Sequence, residues 1–268
     1  MREVVLRVEL DALDEILDRV LPLAPGGVRQ SRSGRRHVEL RMRGDELPEI
    51  AEIAAAVSPL SCRISEQQVS DDWRRRRLDD YRAETIGGRL VVRPSWAPVP
   101  GDGLIDISLV EGDAFGEGTH PTTQTCLEWL LALPPAGSFA DLGCGSGVLA
   151  ILASTLGWRP VFALDAQPSS IEVATENAER NGASIEARVV DLSAEPPPPA
   201  DGFAANLPAA VHLSIASGWG PSAPSIGLLS GFGPAEARSV FEAYAACGLR
   251  ERRQLERFGW VIAEVHRS

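Results

Sequence analysis

The chain has 268 residues, 44% of them hydrophobic and 24% charged, enough for one or two globular domains with a sizeable core. Its 37 acidic residues outnumber 26 basic ones, all of them arginine, and the formal net charge is −11; this argues against direct nucleic-acid binding, which wants clustered positive charge, and would steer a basic protein partner, although it serves solubility equally well. Cysteines at 62, 126, 144 and 247 and histidines at 37, 120, 212 and 266 form no metal-ligand pair, and neither a signal peptide nor a membrane-length apolar run is seen, so a cytoplasmic protein with no metal site and no membrane contact is expected.

In chain order, residues 3–9 read as a strand and residues 11–21 as a helix with Leu13, Ile16, Leu17, Val20 and Leu21 at helical spacing. Strands at 28–32 and 37–42, a second amphipathic helix at 46–57 and a strand near Cys62–Ile64 complete a βαββαβ order. That order predicts a ferredoxin-like α+β domain over residues 1–68. Residues 71–82, with four consecutive arginines between acidic pairs, read as the solvated face of a connecting helix, placed at 69–84. The remainder, 85–268, is the second domain. It begins with a strand after Gly87-Gly88 and another at 104–110. Pro121 then opens a helix running to about Leu133, with Thr119 or Thr122 as a candidate cap.

Ser138-Phe139-Ala140-Asp141-Leu142-Gly143-Cys144-Gly145-Ser146-Gly147 has the form of a buried strand, a tight glycine turn and the start of a helix, Val148–Leu156. Glycines lack the Cβ that would hold a ligand off the backbone, and a helix N-terminus offers unpaired N–H groups. A dinucleotide loop would put its last glycine at 148, where this chain has Val148, and Asp141 would repel a pyrophosphate. The same carboxylate suits the sulfonium and ammonium of S-adenosyl-L-methionine (AdoMet). The next strand, Val161–Asp165, ends on an acid at the spacing that takes ribose hydroxyls. A helix at 170–180 follows, then strands at 187–191 and 202–205. Asn206-Leu207-Pro208 falls on the carboxyl edge shared by Gly143 and Asp165. An apolar strand at 226–229, a helix at 234–246 and a terminal hairpin close the chain.

Four segments resemble the PrmA-type ribosomal protein L11 methyltransferases: Phe-Gly-Glu-Gly-Thr-His-Pro-Thr-Thr (115–123), Asp-Leu-Gly-Cys-Gly-Ser-Gly (141–147), Glu-Asn-Ala-Glu-Arg-Asn-Gly (176–182) and Leu-Leu-Ser-Gly (228–231). Asp72-Trp73 and Pro94-Ser95-Trp96 add to the likeness. The resemblance implies a class I methyltransferase, α/β and Rossmann-like with a seven-stranded sheet, preceded by a ferredoxin-like substrate-recognition domain. It implies AdoMet as cofactor and a basic ribosomal protein as substrate, methylated on lysine side chains or the N-terminal amine; a monomer is expected. It carries AdoMet contacts onto Thr123, Gly143, Asp165 and Asn206. Asp141, Gly145 and Phe115 are further candidates, and Asn206 is also the candidate catalytic residue, aiming the acceptor amine. Glu117, Gln167 and the Leu207-Pro208 pair depart from the family pattern. The alternatives are a methyltransferase for another protein amine and a non-catalytic AdoMet-binding module on the ribosome.

Overall fold

The computed structural model describes residues 2–20, 23–24, 28–32, 36–44, 47–68, 84–99, 101, 103–110, 120–257 and 259–268. Phe115, Glu117, the arginine run and the connecting helix expected at 69–84, apart from Glu84, lie outside the described residues. The chain divides into two compact units, Met1–Tyr81 and Arg82–Ser268.

In the first unit, β1 (Arg2–Glu9), α1 (Leu13–Val20), β2 (Val28–Arg32), β3 (His37–Gly44), α2 (Ile50–Val57) and β4 (Cys62–Gln68) form an antiparallel sheet of order β2-β3-β1-β4. β3 lies between β1 and β2, which are joined through α1; this is the split βαβ of the ferredoxin-like fold. Val4, Leu6 and Val8 alternate along β1 to bury one face against Ile16, Val20, Ile53 and Val57 of the two helices. The second helix starts at Ile50 rather than 46, because Glu49, just after Pro48, keeps an extended backbone.

The second unit opens with β5 (Glu84–Ile86), β6 (Leu90–Pro94) and β7 (Ile105–Leu109), a small sheet of order β5-β6-β7. Its main sheet has seven strands: β8 (Phe139–Leu142), β9 (Val161–Asp165), β10 (Glu186–Val189), β11 (Gly202–Asn206), β12 (Ile226–Phe232), β13 (Leu249–Arg257) and β14 (Trp260–Arg267). The order is β10-β9-β8-β11-β12-β14-β13. The first five run parallel, and β14 enters antiparallel to β12. This is the Rossmann-like α/β sheet expected, and its strand order reverses between β8 and β11, where such sheets open a crevice.

The helices are α3 (Pro121–Leu130), α4 (Val148–Leu156), α5 (Pro168–Arg180), α6 (Ala209–Trp219) and α7 (Pro234–Ala246). Side chains alternate between the two faces of each strand. Phe139, Ala163 and Ala204 therefore pack with α3, α4 and α5, whereas Ala140, Phe203 and Ala205 pack with α6 and α7. Sequence pattern did not reveal α6. Its buried positions, Ala209, His212, Ile215, Ala216 and Trp219, have helical spacing, but alanine and histidine make a weak apolar stripe.

Candidate functional site

The turn after β8 is held by its neighbours. Gly143 and Cys144 both donate their N–H to the Leu164 carbonyl, at 2.8 and 2.9 Å, and Gly147 donates to the Cys144 carbonyl at 2.8 Å. Gly143, Gly145 and Gly147 have φ of +73°, +52° and +77°, angles that favour glycine. Ligand approach is not the reason for two of them. A Cβ on Gly143 would lie 2.3 Å from Leu207 Cδ2, and one on Gly147 would lie 2.9 Å from the Ala174 Cβ. Packing against Leu207 and α5 already takes that space.

Asp141 shares a face of β8 with Phe139, the face covered by α4. Its carboxylate is 1% exposed and accepts from the Ala150 N–H at 2.9 Å. Gly147, the residue before α4, has no side chain to cap the helix. Asp141 does so from the strand, where negative charge also meets the positive end of the helix dipole. Burial raises its pKa to about 7, and the nearby charge of Asp165 adds to the rise. A cation bound at this edge would bring the value down again.

Asp165, half-buried at the end of β9, accepts from the Gly145 N–H through Oδ2 and the Gln167 N–H through Oδ1, both at 2.9 Å. A carboxylate has about four acceptor positions, so two remain. Asp191, one strand further out, accepts from both the N–H and the hydroxyl of Ser193. This turn keeps its pKa low, the hydroxyl contributing most.

On the opposite side of the crevice stands the start of α3. Its cap is His120, not Thr119 or Thr122: the imidazole Nδ1 accepts from the Thr122 N–H at 3.4 Å. Thr119 lies outside the described residues. The same Nδ1 is 2.7 Å from Thr122 Oγ1. A ring nitrogen that accepts from a backbone N–H carries no proton, so the Thr122 hydroxyl donates to it. Burial keeps the ring in this neutral form, lowering its pKa. Thr122 Oγ1 in turn accepts from Asn206 Nδ2 at 3.1 Å. The amide of Asn206 is thereby oriented, with its Oδ1 on the side away from Thr122. Next along α3, Thr123 is 2% exposed, and its hydroxyl has no hydrogen-bond partner among the described residues.

Asn206 is fixed from behind by residues that sequence pattern did not single out. The Leu207 N–H donates to the Ser230 carbonyl at 2.9 Å. His212 Nε2 donates to the same carbonyl at 2.9 Å, and its Nδ1 faces the Tyr244 hydroxyl at 3.0 Å. Burial drives the His212 pKa down to about 4, so the ring is neutral at physiological pH, with one nitrogen donating and the other accepting. The structure thus brings Asp141, Gly143, Gly145, Thr123, Asp165 and Asn206 to one carboxyl edge. Among the described residues no cluster of three or more His, Cys, Asp or Glu is arranged to hold a metal, and no helix is long and apolar enough to cross a membrane.

Comparison with known proteins points to a single group. The family model described as ribosomal protein L11 methyltransferase (PrmA) matches residues 43–268. A ribosomal protein L11 methyltransferase of Escherichia coli O1:K1 is 40% identical over 184 residues, 67% of this chain and 63% of that protein. One from Shigella boydii serotype 18 gives the same figures. The match therefore spans less than two thirds of the length of these relatives. The crystal structure of ribosomal protein L11 methylase from Lactobacillus delbrueckii subsp. bulgaricus shares the fold, with a TM-score of 0.62 and 23% identity over 70% of this chain and 98% of that one.

Proposed function

We propose that this chain, which belongs to the ribosomal protein L11 methyltransferase (PrmA) family, transfers methyl groups from AdoMet to amine nitrogens of a large-subunit ribosomal protein. The acceptors are lysine side chains or the N-terminal amine, and the enzyme works as a cytoplasmic monomer whose N-terminal unit, residues 1–68 followed by the 69–84 linker, recognises the substrate. The observations that carry the cofactor assignment are a buried Thr123 hydroxyl with no partner among the described residues and an Asp165 carboxylate at the end of β9 that accepts from the Gly145 and Gln167 N–H groups with acceptor positions to spare. A buried hydroxyl without a partner costs free energy that a bound ligand recovers.

AdoMet, when bound, supplies a methyl group activated by its sulfonium. Asp165 would take ribose hydroxyls, Thr123 a polar atom of the cofactor, and the turn at Gly143 and Gly145 would form the wall beneath it. Phe115 is assigned to the same cofactor from the resemblance. Asp141 would favour the cationic donor by charge, through the helix it caps. The acceptor amine must be neutral, and a free lysine titrates near ~10.4; an apolar pocket next to a cation lowers that value. Asn206 Oδ1, turned away from Thr122, accepts a hydrogen of the amine and aims its lone pair. Placement of this kind is the protein's main contribution.

Labelled AdoMet incubated with the protein and a ribosomal fraction tests this reading. Label in one large-subunit ribosomal protein is expected. Label in an unrelated protein would point to another protein substrate, and binding without transfer to a non-catalytic module. Asn206→Ala is expected to lower kcat by about 100-fold, the scale for losing one preorganised polar contact. An unchanged kcat would remove Asn206 from the reaction.

A further inference from the structure

The segment Glu176–Gly182 at the end of α5 carries two asparagines to which no role has been attached. Asn177 is 0% exposed. Its Nδ2 donates to the Ser146 carbonyl at 2.9 Å, and its Oδ1 accepts from the Val110 N–H at 2.7 Å. An amide bonded to a carbonyl on one side and an N–H on the other has only one possible orientation. Asn181, one turn on, accepts from the Ser108 N–H at 2.8 Å and donates to the Ser108 carbonyl at 2.7 Å. It pairs with the outer edge of β7 as a neighbouring strand would.

Only the first of these contacts reaches the turn after β8. The Ser146 carbonyl and the Gly147 N–H belong to one rigid peptide plane. That plane is held at both ends, by Asn177 on the carbonyl and by the Cys144 carbonyl on the N–H at 2.8 Å. Turning this plane changes ψ of Ser146 and φ of Gly147, and with Gly147 at a φ of +77° the second of these angles imposes little preference of its own. The Gly147 N–H bond to the Cys144 carbonyl and the buried Asn177 amide on the Ser146 carbonyl together select one orientation.

We infer that Asn177 is a positioning residue for the cofactor turn: it locks the Ser146–Gly147 peptide in the orientation that binds AdoMet, whereas Asn181 only shields the β7 edge. The inference rests on the proposed AdoMet site. Calorimetric titration of wild type, Asn177→Ala and Asn181→Ala with AdoMet tests it, with melting temperatures recorded alongside. Both variants are expected to melt lower than wild type. Asn177→Ala is expected to bind at least tenfold more weakly, on the order of one lost hydrogen bond, with faster amide exchange at Gly147. Asn181→Ala is expected to bind within about twofold of wild type, on the view that its contacts stabilise without positioning. Where Asn177→Ala does not stay folded, Asn177→Asp, whose oxygen can still accept from the Val110 N–H but which as a carboxylate cannot donate to the Ser146 carbonyl, is titrated with the same expectation. Wild-type binding matched by the Asn177 variant overturns this inference alone. A wild type that binds no AdoMet overturns the site assignment and this inference together.

Discussion

On the β8–β9 side of the crevice, the N–H groups of Gly143, Cys144, Gly145 and Gly147 all end on protein acceptors. On the α3 side, two adjacent threonines part company: Thr122 is tied to His120 and Asn206, and Thr123, equally buried, is left without a partner. The backbone N–H groups of the first side are engaged before any ligand arrives. The second carries a buried polar atom that no described residue satisfies. A tied glycine turn together with an unsatisfied buried hydroxyl is the arrangement expected where the frame is structural and the recognition local, because buried polar atoms are otherwise almost always paired.

Three substitutions probe this contrast, taken in order of size. Asp141 belongs to the finished side and should act on the apo protein. Its pKa is raised from 3.8 to about 7 in the fold. A raised pKa means stability that is full below the unfolded value and lost as pH rises through the folded one. Relative to Asp141→Asn, wild type should therefore lose roughly 4 kcal/mol of unfolding free energy between about pH 4 and pH 8, each pH unit between the unfolded and folded values being worth about 1.4 kcal/mol. Denaturation curves at both pH values check this, and parallel behaviour of the two proteins would contradict it. Asp165→Ala bridges the two sides, because it removes the anchor of Gly145 along with the proposed ribose acceptor. AdoMet affinity should fall about 100-fold by calorimetry, equivalent to about 3 kcal/mol. Unchanged affinity would take Asp165 out of the site. Thr123→Val gives the smallest effect and separates the sides most cleanly. It removes a hydroxyl that has no partner among the described residues, so apo stability should hold or rise by up to about 1 kcal/mol, while AdoMet binding weakens about tenfold. A large loss of apo stability would show that the hydroxyl is engaged after all.

Much of this was legible in the sequence, for reasons that also explain what was not. The limits of β9, α4 and α7 and the order of the N-terminal elements follow from periodicity and glycine punctuation, which are local signals. Asp141 was visible as an acid two residues before the glycine turn. Its parity with Phe139 puts the two on one face of β8, but nothing in the sequence says that α4 covers that face, so the cap on the Ala150 N–H came only from the structure. Asp165 and Asn206 could be placed on one edge because strand ends in parallel sheets face the same way. The tie between Thr122 and Asn206 spans 84 residues, and the bonds of Asn177 to Ser146 and Val110 span 31 and 67. No local pattern announces such contacts. His212 was hidden by the weak stripe of α6, so the clamp on the Ser230 carbonyl emerged only from the packed structure.

Whether this carboxyl edge holds AdoMet is decided by isothermal titration of the wild-type protein, with AdoMet in one run and a nicotinamide dinucleotide in another. A single AdoMet site with a dissociation constant on the order of micromolar is expected, with no heat from the dinucleotide. No AdoMet uptake at millimolar concentration, or uptake of the dinucleotide in its place, would refute the assignment.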